Sequence, residues 1–88
     1  MRISVVGTGY VGLVAGVCFA DAGHYVVCVD RDESKINALN DGKVPIYEPG
    51  LEDLMSLSVR SNRLHFTTKI EDALEKTDVI FVAVGTPE

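Results

Sequence analysis

Short runs of β-branched and aromatic residues alternate along this 88-residue chain with stretches in which apolar residues return every third or fourth position. Ile3 to Val6, Tyr25 to Val29, Leu64 to Thr67 and Val79 to Val84 are the apolar runs, each bounded by Gly, Asp, Asn or Thr, and they predict four buried strands. Val11, Val14, Ala15, Cys18, Phe19 and Ala22 recur at helical spacing and give a first helix its apolar stripe, with Gly23 closing it. Asp32 is placed to cap a second helix that turns Ile36 and Leu39 inward and ends at Gly42. Leu51, Leu54 and Met55 mark a third, shorter one. Thr68 to Glu71 has capping-box spacing ahead of a fourth, whose stripe is Ile70, Ala73 and Leu74.

Alternating strands and helices imply parallel pairing, because parallel neighbours need long crossovers rather than tight turns. The expected class is α/β: a partial Rossmann unit, a doubly wound parallel sheet of order 3-2-1-4 with helices on both faces. No repeat or linker interrupts it. The one irregular piece, Asp41 to Gly50, carries two prolines and two glycines and reads as a defined loop.

The turn after the first strand carries the candidate chemistry. Gly7-Thr8-Gly9-Tyr10-Val11-Gly12 ends a strand and opens a helix, the setting that a G-x-G-x-x-G dinucleotide fingerprint requires. Gly7 permits the tight turn, Gly9 leaves room for a pyrophosphate, and Gly12 lets the helix approach the sheet while its free N–H groups meet the anion. Asp30 ends the second strand roughly 20 residues on, where a carboxylate can accept from the adenosine ribose hydroxyls and repel a 2′-phosphate. NAD is therefore expected over NADP, with Arg31 as the countervailing charge. Gly85-Thr86-Pro87 would lie beside the first strand at the switch point where dinucleotides cross open sheets.

Composition narrows the partners. A net charge of −5 and a pI near 4.8 argue against a phosphate-tracking nucleic-acid surface. No apolar segment reaches the roughly 18 residues of a membrane span, and the glycines interrupt what would otherwise resemble a signal peptide, so the cytoplasm is the expected compartment. Cys18 and Cys28 lack metal-ligand or redox spacing and read as small buried hydrophobes. His24 reads as a turn residue, and Lys35 taken alone as a solvated lysine.

The stretches VVGTGYVGLVAGVCFADAGHYVVCVD, KINALNDGKVPIYEPGLEDL, RLHFTT and DVIFVAVGTP together resemble the amino-terminal half of the cofactor domain in the UDP-glucose/GDP-mannose dehydrogenase family. Tyr47, within PIYEPG, is closer to the UDP-glucose branch. The resemblance implies an NAD-dependent, two-step oxidation of the C6 alcohol of UDP-glucose to the carboxylate of UDP-glucuronate, with a nucleotide sugar as substrate. It places backbone contact to the pyrophosphate at Val11, the adenosine ribose at Asp30 and Lys35, and Thr86 in the cofactor cleft; with Gly7, Gly9, Tyr10 and Gly12 of the fingerprint these are the expected cofactor contacts. It also implies a catalytic cysteine, further strands and a sugar-nucleotide domain beyond Glu88, so residues 1–88 read as a truncated NAD-binding domain, inactive by itself. The alternatives are a free-standing NAD-binding or sensing module and a different β-hydroxyacid-type dehydrogenase. Because the fourth apolar run would form an uncovered edge, the chain is also expected to self-associate there, with Asp78 and Pro87 flanking the contact.

Overall fold

The computed structural model describes residues 1–44 and 48–83. Four strands, β1 (Arg2–Val6), β2 (Tyr25–Val29), β3 (Leu64–Thr67) and β4 (Val79–Val82), form one sheet of order β3-β2-β1-β4, and every ladder is parallel. Four helices, α1 (Tyr10–Asp21), α2 (Glu33–Asn40), α3 (Leu51–Arg60) and α4 (Ile70–Leu74), connect them. The expected order and class are thus present. β1 starts one residue earlier than its apolar run, and β4 ends at Val82, while Val84 lies outside the described residues.

Strand periodicity sorts the side chains onto two unlike faces. The register aligns Ile3 and Val5 with Val26 and Cys28, and these with Leu64 and Phe66, making the apolar face on which α1 lies. Val5, Leu13, Val17, Val26 and Cys28 are fully excluded from solvent, each large aliphatic contributing roughly 1.5–3 kcal/mol by burial. Phe81 of β4 extends this face and meets Phe19 of α1 edge to face, with centroids 5.8 Å apart. On the other face Ser4 is buried, and its hydroxyl is shared between the Ala73 carbonyl at the end of α4 and Thr77 Oγ1.

The buried side of α1 differs from its expected stripe. Gly12, Leu13, Gly16, Val17 and Ala20 face inward, whereas Val11 and Cys18 are exposed and Val14 and Phe19 only half-buried. YVGLVAGVCFAD is apolar nearly all round, so period alone does not select a face. Close approach does. A Cβ on Gly16 would stand 2.7 Å from Cys28 Sγ, so the line of small residues is the side that fits against β2. Cys28 is buried as expected, and burial pushes its thiol up to about 12; Cys18 is exposed, on the outer side of the same helix.

The second helix forms as its sequence predicts. Asp32 caps it through the N–H groups of Ser34 and Lys35, Ile36 and Leu39 are buried, and Gly42 follows with φ +84°. The capping box at the fourth helix does not form. Lys69 occupies the N-cap position, its N–H is taken by Thr67 Oγ1, and only Ala73 of the expected stripe is buried. A five-residue helix shows too little surface to the sheet to bury Ile70 and Leu74, which stay 47% and 40% exposed. Among the described residues no helix is long and apolar enough to cross a membrane.

Candidate dinucleotide site

The carboxyl ends of β1 and β2 meet at the glycine turn. Gly7 leaves β1 with φ +103°, a conformation that only glycine adopts freely, and donates its N–H to Val29 O at 2.7 Å. Gly9 is the N-cap of α1 and supplies no side-chain cap, and the helix begins with Leu13 N–H donating to Gly9 O at 2.9 Å. The N–H groups of Tyr10, Val11 and Gly12 precede the first helical bond and have no partner among the described residues. Free N–H groups at the start of a helix are an arrangement that can accept an anion such as phosphate.

The glycines of this turn serve different ends. A Cβ on Gly12 would stand 1.9 Å from Gly7 O and 3.1 Å from Ala83 Cβ, so Gly12 seats α1 against the turn and the end of β4. Gly9 has φ −71°, which any residue adopts, and a Cβ there would meet nothing among the described residues within 4 Å. Neither the backbone nor packing within the described chain calls for glycine at position 9. The open space beside it fits a group brought close to the backbone from outside.

Asp30 is built into the turn. Its Oδ2 accepts from Thr8 N–H at 3.0 Å and from the Thr8 hydroxyl at 2.8 Å, and its Oδ1 accepts from Asp32 N–H at 2.9 Å. Partial burial alone would raise its pKa. The Asp32 and Thr8 N–H groups, the Thr8 hydroxyl and the charge of Lys35 outweigh that, so the carboxyl sits below the usual aspartate range and is ionised at neutral pH.

Gly7, Gly9, Tyr10, Val11, Gly12 and Asp30 come together around the ends of β1 and β2. Lys35 lies in the first turn of α2, exposed, and close enough for its charge to act on Asp30. Val11 is 61% exposed, as a residue offering backbone contact to a ligand would be. Thr86 and Tyr47 lie outside the described residues. Two residues without a sequence signal join the site. Thr8, a variable position of the fingerprint, is buried beneath Asp30. Glu48, in the proline loop, accepts the Tyr10 hydroxyl at 3.0 Å, and this hydrogen bond with the carboxylate charge raises the pKa of the phenol. His24 and His65 lie apart, and no cluster of metal-ligating side chains occurs among the described residues.

Residues 1–88 match the model of the UDP-glucose/GDP-mannose dehydrogenase family, NAD binding domain. The chain is 59% identical over 87 residues to UDP-glucose 6-dehydrogenase of Rhizobium meliloti, covering 99% of this chain and 20% of that protein. It is 57% identical over 86 residues to UDP-glucose 6-dehydrogenase TuaD of Bacillus subtilis, covering 98% and 19%. Among solved structures, a ternary complex of GDP-mannose dehydrogenase from Pseudomonas aeruginosa superposes with a TM-score of 0.93 at 47% identity, over 99% of this chain and 20% of that one. The chain thus spans about a fifth of the length of the curated relatives it matches.

Proposed function

Because the chain belongs to the UDP-glucose/GDP-mannose dehydrogenase family, matching its NAD binding domain, we propose that the glycine turn holds the pyrophosphate of NAD and that Asp30 takes the adenosine ribose. The observation that carries this reading is Gly9, a glycine that neither its own backbone angles nor its neighbours among the described residues require. Gly7 and Gly12 shape the turn, the N–H groups of Tyr10 and Val11 meet the phosphates, Lys35 adds positive charge near the ribose, and Thr86 lines the cleft. Bound NAD supplies a hydride acceptor. The oxidation itself, of UDP-glucose C6 to the carboxylate in two steps, is proposed for a longer protein in which residues 1–88 are the first part of the cofactor domain. The identities to proteins named UDP-glucose 6-dehydrogenase support that choice of nucleotide sugar. The cytoplasm is the proposed compartment.

Calorimetric titration with the two dinucleotides tests the assignment. NAD is expected to bind at least about tenfold more tightly than NADP, the effect of one unscreened charge pair of roughly 1–4 kcal/mol. Asp30→Asn is expected to bring the ratio toward one. Equal affinities in the wild type, or a preference for NAD that survives Asp30→Asn, would remove Asp30 from the role.

Self-association is proposed for residues 1–88 taken by themselves. Among the described residues β4 is an edge strand with one ladder partner, and Val79, Ile80 and Val82 are 41%, 50% and 64% exposed. Such an edge is a template for a second copy of the chain. Light scattering over a concentration series is expected to show association that Ile80→Lys weakens. A monodisperse monomer at the highest concentration contradicts it.

A further inference from the structure

Thr8 joins the two halves of the proposed site. It sits between the first two glycines of the turn, 2% exposed, and places both its N–H and its hydroxyl on one oxygen of Asp30, at 3.0 and 2.8 Å. Two donors from one residue on one carboxylate oxygen fix the group's position and its rotation together. Oδ1 is held separately by the Asp32 N–H at 2.9 Å. A carboxylate has roughly four acceptor positions, so with these three hydrogen bonds in place the remaining capacity lies on Oδ1. Water has little access to replace the Thr8 hydroxyl at so buried a residue, and its loss leaves Oδ2 with one donor fewer.

We propose that Thr8 is a positioning residue for cofactor selectivity: its hydroxyl locks Asp30 so that Oδ1 accepts from the adenosine ribose and the negative charge stays where a 2′-phosphate would come. The inference rests on the reading that NAD occupies the glycine turn. It adds that the phosphate turn and the ribose carboxylate are one rigid unit, coupled through a single residue. A carboxylate left with only the two backbone N–H donors is held less firmly, which costs ribose binding and relaxes the exclusion of NADP.

The test compares Thr8→Val, which keeps shape and N–H but removes the hydroxyl, with Thr8→Ser, which keeps both donors. Calorimetry reads the affinities for NAD and NADP, and NMR reads the titration midpoint of the Asp30 carboxyl without any nucleotide. Thr8→Val is expected to weaken NAD about tenfold, as for the loss of a hydrogen bond to a charged group, to change NADP by less than about threefold, and to move the Asp30 midpoint upward. Thr8→Ser is expected to stay within about threefold of wild type in both affinities. In an Asp30→Asn background, Thr8→Val should no longer alter the NAD-to-NADP ratio. Where a valine methyl set against the Asp30 carboxylate prevents folding, Thr8→Ala removes the same hydroxyl and reads the same contrast. Equal weakening of both dinucleotides, or an Asp30 midpoint that does not move, reduces Thr8 to a packing residue and overturns the inference. A wild-type chain that binds NAD while Thr8→Val binds it equally well overturns this inference alone. A wild-type chain that takes no NAD overturns the functional reading and this inference with it.

Discussion

Gly12→Ala is expected to destabilise the chain by about 2–4 kcal/mol, toward the upper end of what overpacking costs, and to lower its melting temperature by about 10 °C or more. The added methyl would stand 1.9 Å from the Gly7 oxygen and 3.0 Å from the Gly7 carbon, both backbone atoms that no rotamer change can move aside. Gly7 itself cannot yield, since its N–H is held by Val29 O at 2.7 Å and its φ of +103° is set by the turn leaving β1. Moving α1 outward instead would open the contacts of Leu13 and Val17, both fully buried. Alanine's better helix propensity returns about 1 kcal/mol at most. A domain of this length is stabilised by roughly 4–13 kcal/mol in total, so the loss is a large fraction of the whole. Urea denaturation measures it. A change within about 0.5 kcal/mol would mean that the turn and helix separate more easily than their geometry indicates.

Gly9→Ala, the same chemical change three positions earlier, is expected to do the opposite: leave stability within about 1 kcal/mol of wild type, as N-cap preferences indicate, and remove most of the NAD affinity. At φ −71°, with nothing among the described residues within 4 Å of the new methyl, the backbone accommodates alanine without strain. The methyl fills the space in which the pyrophosphate would approach the backbone. A forced contact of that kind corresponds to roughly 1–3 kcal/mol, or about a tenfold to a hundredfold loss of affinity. Denaturation and NAD titration on one preparation measure both quantities. Affinity retained in Gly9→Ala would sink the assignment of the glycine turn to the pyrophosphate, because Gly9 would then be without a reason. Beside Gly12→Ala the result separates a glycine needed by the fold from one needed by a ligand.

Strand positions, the parallel order β3-β2-β1-β4, the cap at Asp32 and the grouping of Gly7, Gly9, Gly12 and Asp30 were all legible before any coordinates. Each rests on local signals: β-branched runs bounded by turn residues, a capping side chain one step ahead of its helix, and glycines at a strand-to-helix junction. The exposed Tyr10 is likewise where the fingerprint puts it, but its partner Glu48 is 38 residues away in sequence, and no spacing rule joins them.

The inner face of α1, the failure of the capping box before α4 and the clasp of Thr8 on Asp30 were decided only by the tertiary structure. A helix apolar all round presents several equivalent stripes to a sequence reading, and Gly16 became the inner side only because Cys28 Sγ stands opposite it. Thr68 could have capped α4, but Lys69 N–H was taken by Thr67 at the end of β3, and the helix began one residue later. Thr8 occupies a position that the fingerprint leaves open to any residue, and its hydrogen bonds depend on Asp30, brought against it when β1 and β2 pair side by side. Local propensity determines where elements start and stop, because those energies are set within a few residues along the chain. Which face is buried and which carboxylate is held depend on atoms that become neighbours only once the sheet has formed.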